Sequence, residues 1–224
     1  MINPTSPARP ARPTRLTSSA RPACLALIAL AVAWISACSS GPSPAGDDAS
    51  FVAGVTDDRA VKDEFMRNDP QSPIPPIKRA LLLPLKYFPP DPSYSVPALL
   101  KLAAERPAFE MPTSTGTIRK MERVGVLEFS LQGQPLSLGA FVPEGTRQVL
   151  ELFVPFADVT TGADTYSAGR YLDLRPTATG FYTIDFNKAY NPYCAYNTTF
   201  ECPYPPASNR LKLAIKAGEK APGA

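Results

Sequence analysis

Histidine does not occur anywhere in this chain. Its absence removes the side chain that most often serves as a general base near neutral pH and the commonest metal ligand. The Ser-His-Asp and Cys-His arrangements go with it. Any catalysis here has to use carboxylates, tyrosine, lysine, arginine or cysteine. Acidic residues are missing before Asp47, although Arg9, Arg12, Arg15 and Arg21 all precede it. Long apolar runs are missing too: the run from Cys24 to Ile35 has twelve residues, where a bilayer span needs roughly 20. No basic stripe occurs, so no nucleic-acid footprint and no nucleic-acid partner are expected.

A basic segment followed by a short apolar run is the pattern of an export signal. Ile35-Ser36-Ala37-Cys38 follows it directly, in the order aliphatic, small, small, cysteine of a bacterial lipobox. Residues 1–37 are therefore expected to be a signal peptide, with Cys38 the lipid attachment site and the membrane a partner through it. Ser39 follows the cysteine. By resemblance to the sorting pattern of double-membrane bacteria, the lack of Asp there favours the outer membrane, facing the periplasm. Four of the 23 basic residues lie before Cys38, leaving 19 against 20 acids. Residues 38–55, rich in small residues, Pro and Asp, read as a flexible tether. Residues 56–220 read as one domain, long enough to bury a core.

Thr56 to Asn68 has the features of a helix, with a capping residue, acids in the first turn, and Val61 and Phe65 four apart. Eight prolines between 70 and 92 exclude a long helix or central strand there, and Leu81 to Phe88 reads as a short strand or edge. From Ile118 onward the period becomes two. Leu127, Phe129 and Leu131 alternate with polar residues, Gly133-Gln134-Pro135 turns the chain, and Leu136, Leu138, Ala140 and Val142 alternate again. Further strands are expected around Leu150–Phe156, Tyr166–Leu174, Phe181–Asn187 and Leu211–Ile215. The fold class is mostly β, an antiparallel sheet rolled into a barrel or sandwich, with an N-terminal helix.

Residues 188–209 lack periodicity and form a long loop. Cys194 and Cys202 lie within it, and export into an oxidising compartment leads to the expectation that they form a disulfide. Asp158 to Tyr166 is dense in oxygen donors, but its spacing is not that of a calcium loop. A turn stabilised by Asp and Thr side chains accounts for it, and no metal site is expected.

The runs Phe156-Ala157-Asp158, Thr161-Gly162, Thr165-Tyr166 and Gly169-Arg170-Tyr171-Leu172-Asp173 resemble a bacterial domain family of unknown function, numbered 1684. Asp185-Phe186-Asn187, Ala189-Tyr190-Asn191-Pro192, Cys194, Cys202-Pro203, Asn209 and Ala217-Gly218-Glu219 fit the same pattern. The likeness spans about residues 58–220. It implies no activity and no cofactor, but suggests that these polar positions lie close together. A binding or interaction module of the cell envelope, for a small polar ligand or envelope component, is the leading functional expectation. Its site would draw on Asp158, Thr161, Tyr166, Arg170, Asp185, Asn187, Tyr190 and Asn191, with Arg170 pairing an acidic group. Two alternatives are a histidine-independent, hydrolase-like enzyme with Asp158 or Asp185 as base and Arg170 stabilising an anion, and a purely structural cluster.

Overall fold

The computed structural model describes residues 45–178 and 180–223. The expected signal peptide, Cys38 and the first part of the tether lie outside them. Helix α1 spans Ala45–Asn68, with Asp47 and Asp48 in its first turn and Arg67 in its last, charges that suit the helix dipole. It starts at Ala45 rather than Thr56, so from Ala45 onward the expected tether is helical. Thr56 is not a cap, because its hydroxyl donates to the Val52 carbonyl one turn back (2.7 Å). Val61 is exposed. The face turned inward is Val55, Arg59, Lys62 and Met66, a helical stripe of spacing four, three, four with two charged members.

Helix α2 is short (Pro76–Leu82), starting on a proline that needs no amide partner there, and it buries none of its side chains. Leu81–Phe88 is accordingly not a strand; it is a helix end followed by one bridge, Tyr87 to Glu219. Seven strands follow: β1 Ser95–Leu102, β2 Ala108–Pro112, β3 Ile118–Leu131, β4 Gln134–Pro143, β5 Leu152–Phe156, β6 Arg170–Leu174 and β7 Tyr182–Asp185. They form one antiparallel sheet in the order β6-β5-β4-β3-β1-β7, with β2 also on β3. The sheet curls until its edges β6 and β7 approach each other, giving a nearly closed barrel rather than a sandwich.

The hairpin β3–β4 is in register from Leu131–Gln134 to Met121–Pro143. Its turn is Gln132-Gly133, both at positive φ, the conformation that two-residue hairpins require. A bulge between Arg123 and Gly125 switches the inward parity, so Val124 and then Leu127, Phe129 and Leu131 all reach the core. Only glycine fits at 125, where a Cβ would stand 2.2 Å from the Lys101 carbonyl. Leu138, Ala140, Val142, Val154, Leu172 and Ile184 complete the barrel interior.

The expected last strand, Leu211–Ile215, joins no ladder; only a single parallel bridge links Arg210 to Ala157. Its alternation is real, since Leu211 and Ile215 are buried. Its backbone is held by the 157–159 segment, where the Leu211 amide donates to the Ala157 carbonyl (2.8 Å) and the Leu213 carbonyl accepts from the Val159 amide (3.4 Å). Beyond that it is held by side chains: Asp158 accepts from the Ile215 amide (3.2 Å), and Arg170 donates to the carbonyls of Ile215 (2.9 Å), Ala217 and Glu219. Among the described residues no helix is long and apolar enough to cross a membrane.

Candidate functional site

The outer face of β4, β5 and β6 carries large rings as well as the inner one. Phe141 of β4 lies opposite Phe153 of β5, which lies opposite Asp173 of β6. Opposed residues share a face and alternate residues do too, so Phe153, Tyr171 and Asp173 form one patch. The Phe153 and Tyr171 rings meet edge-on at 4.8 Å, and Tyr171 meets Tyr190 at 5.8 Å. Helix α1 and the 188–209 loop stand over this patch without filling the space. The result is a cavity of about 450 Å³, walled by Lys62, Phe65 and Met66 of α1, by Phe153, Tyr171 and Asp173 of the sheet, and by Tyr190, Tyr193 and Phe200 of the loop.

Charged groups at the cavity are mostly paired. Lys62 bonds the buried Glu219 and lies over the Tyr190 ring at 4.9 Å. Arg119 holds Glu201 (2.9 Å), which also accepts from the Thr117 hydroxyl (2.6 Å). Asp173 accepts from the Tyr190 hydroxyl (2.6 Å). Asp173 is the exposed position of β6, yet desolvation at the cavity raises its carboxyl, and burial holds the Tyr190 phenol protonated. The Tyr171 hydroxyl donates to the Pro203 carbonyl, which fixes the loop to the sheet.

Of the eight residues expected to form the site, only Tyr190 lines this cavity. Arg170 and Asp158 are fully buried side chains joined at 2.9 Å. Asp158 also accepts from the amide (2.8 Å) and hydroxyl (2.6 Å) of Thr160, and the Thr161 hydroxyl accepts from the Asp158 amide (2.9 Å). This is a closed structural knot tying the 158–166 turn to β6 and the C-terminal segment. Asp185 accepts from the amide (3.0 Å) and side chain (2.9 Å) of Asn187, whose Nδ2 also donates to the Asp91 carbonyl (2.8 Å). Asp185 and Asn187 thus close a separate turn. The Asn191 amide donates to Glu219 (2.7 Å), and its side chain to the Lys220 carbonyl (2.7 Å). The acid–base pairing of the enzyme alternative, Asp158 beside Arg170, has no open space next to it.

The expected disulfide is absent: Cys194 and Cys202 are unbridged and buried. The Cys194 amide donates to the Cys202 sulfur (3.1 Å), and the Tyr166 hydroxyl to the Cys194 sulfur (3.9 Å). The Cys194 thiol is lowered to about 6, chiefly by the hydrogen bond from Cys202, which is raised by the same bond. Burial pushes Tyr166 up to about 12. The loop does not rely on a covalent link for closure. Ser114 donates to the Phe200 carbonyl (3.1 Å) and accepts from the Cys202 amide (3.1 Å), and the Tyr204 amide bonds Pro112 (2.8 Å).

Phe153, Tyr193 and Phe200 line the cavity without any sequence motif that marks them, and Tyr171 and Asp173 stand in the family-like run 169–173 but outside the expected site. One signal was available for them: Phe153 and Glu151 alternate outward from Leu152 and Val154, and a Phe on an outward position implies a cover.

The chain matches the family model described as "Protein of unknown function (DUF1684)" over residues 83–220. It is also similar to an uncharacterized protein of Haloarcula marismortui solved by solution NMR, at 39% identity over 78% of this chain and 96% of that chain, with a TM-score of 0.61. No curated protein matches it.

Proposed function

The chain belongs to the DUF1684 family, and we propose that it acts at the cell envelope as a lipid-anchored module that binds a small polar ligand. The cavity between α1 and the 188–209 loop is the observation that carries this reading. It has the size and composition of a small-molecule site: ring-lined, with a few polar groups at fixed positions. The polar atoms are held by second partners, Tyr190 by Asp173 and Arg119 by Glu201, so the site is formed before a ligand arrives. Tyr190 is carried over from the expected site; Asp173, Phe153, Tyr171 and Tyr193 replace the residues enclosed in the core.

Anchoring rests on the Cys38 motif and the short apolar run before it. In a cell with two membranes this puts the domain on the outer membrane, facing the periplasm. Cys38→Ser is expected to move the protein from the membrane fraction to the soluble one or to leave an uncleaved precursor. Membrane retention of a normally cleaved Cys38→Ser protein would overturn the anchor.

Native mass spectrometry of the chain purified from its own membranes should reveal a retained small molecule. Tyr193 lines the cavity and is 38% exposed. Its ring meets Phe200 edge-on at 5.4 Å, so Tyr193→Ala should cost about 1 kcal/mol of stability while the adduct is lost. An adduct that survives both this change and Phe153→Ala would defeat the assignment to this cavity.

A further inference from the structure

We propose that the ligand of this cavity carries a cationic amine, held by the carboxylate of Asp173 and by the faces of the surrounding rings; this rests on the cavity being the binding site. Among the described residues, Asp173 has no cation within 4 Å, whereas the cavity's other charges are matched: Lys62 with Glu219, Arg119 with Glu201. Arg175, next along from β6, is tied to Glu151 (2.9 Å). Asp173 lines the cavity without an ion-pair partner of its own, and Arg175 and Lys62 act on it only from farther off.

Its surroundings are aromatic side chains, with the Tyr190 hydroxyl as its one hydrogen-bond partner among the described residues. Phe153 lies directly opposite Asp173 across the β5–β6 ladder, and Tyr190 bonds the carboxylate itself. A metal ion would need several oxygen ligands, and no group of three or more metal-ligating side chains occurs among the described residues. An organic ammonium needs one carboxylate and ring faces. Lys62 already places its own ammonium over the Tyr190 ring, which shows that these rings accept a cation. Asp173 is the exposed position of β6; partial desolvation at the cavity raises its carboxyl, and an arriving cation favours the charged form.

Asp173 also stands at a junction. A second hollow, of about 280 Å³, runs toward Phe141 and Met121 and shares Arg119, Phe153 and Asp173 with the first. The charged end of the ligand is therefore placed at Asp173, with the body extending along the outer sheet face.

Three probes of one shape separate the outcomes: 2-naphthylmethylammonium, the neutral 2-naphthylmethanol, and 2-naphthoate, each titrated into the full chain and followed by amide and aromatic NMR shifts. The ammonium is expected to bind about tenfold or more tightly than the alcohol, the carboxylate least. Asp173→Asn should abolish the difference between ammonium and alcohol. Equal binding of alcohol and ammonium to the wild type overturns the amine inference and leaves the cavity reading standing. Failure of all three to shift cavity residues overturns both. Shifts from the ammonium that persist unchanged in Asp173→Asn show the cation bound elsewhere and also overturn the inference.

Discussion

Arg170→Leu is expected to destabilise the domain by about 3–5 kcal/mol, because it leaves the Asp158 carboxylate buried without its cation. For a domain of this size the melting temperature should fall by roughly 6–20 °C. The magnitude follows from how much the guanidinium holds. It bonds Asp158 at 2.9 Å and three carbonyls of the C-terminal segment, those of Ile215, Ala217 and Glu219. Both side chains of the pair are shut off from solvent. Asp158→Leu alone should cost a comparable amount, since Arg170 then lacks a counter-charge. Combining the two changes should cost less than the sum of the singles, with a coupling of about 0.5–3 kcal/mol. Thermal and urea melts of the four proteins measure this. A loss near 1 kcal/mol for Arg170→Leu, or strict additivity in the double variant, would show that the pair does not anchor the C-terminal segment.

The same pair explains where sequence patterns were readable and where they were not. The β3–β4 hairpin was legible because one face packs against a core and the other does not, so period two is written directly into Leu127–Leu131 and Leu138–Val142. Leu211, Leu213 and Ile215 carry the same signature without a ladder. Alternation reports burial on one side; it does not report what binds the backbone, and here two bonds to the 157–159 segment and the side chains of Asp158 and Arg170 at Ile215 take the place of a strand ladder. The inward stripe of α1 was obscured for a related reason. Arg59 and Lys62 occupy it, paired with the Phe88 carbonyl (3.0 Å) and with Glu219, and charged residues on a buried stripe look solvent-facing until their partners, far away in sequence, are known.

The site was legible only in part. Polar residues crowded between 158 and 191 suggested a binding surface, but polarity in a short stretch is produced equally by turns that satisfy their own backbone. Asp158, Thr161, Asp185 and Asn187 are of that kind. The cavity instead depends on Phe153, Tyr171 and Asp173 facing outward from strands and being roofed by segments more than ten residues away at either end of the domain. Only the register of β5 on β6 and the course of the 188–209 loop bring those residues together, and neither is written in local periodicity. The cysteines erred in the opposite direction: proximity was read correctly, but the loop they occupy is closed by Ser114, Tyr171 and Arg119 rather than by a bond between them.

Asn209→Ala is expected to be nearly as damaging as the loss of Arg170, for a reason located in the sheet. Strands β4 and β5 pair in register only at Phe141–Phe153, and Pro155 has no amide to donate further along. The buried Asn209 side chain fills that gap. Its Oδ1 accepts from the Gly139 amide (2.8 Å), and its Nδ2 donates to the carbonyls of Gly139 (2.8 Å) and Pro155 (2.8 Å). Glycine at 139 makes the insertion fit, since a Cβ there would stand 3.0 Å from Asn209 Oδ1. Alanine would leave three buried backbone groups without partners, at about 1–3 kcal/mol each and roughly 3–5 kcal/mol together after relaxation. Asn209→Asp separates hydrogen bonding from volume. The shapes match, but at neutral pH a carboxylate would face two carbonyl oxygens and lack both donors. Its pKa should be raised in the folded state, so the neutral acid, which regains one donor, is the form that folds. The deficit should therefore be smaller near about pH 4 than near pH 7, growing as pH rises through the raised pKa. Melting curves at the two pH values, each referenced to wild type, test this. An Asp variant as stable as wild type at neutral pH would show that Asn209 fills space at the seam without binding the strands together.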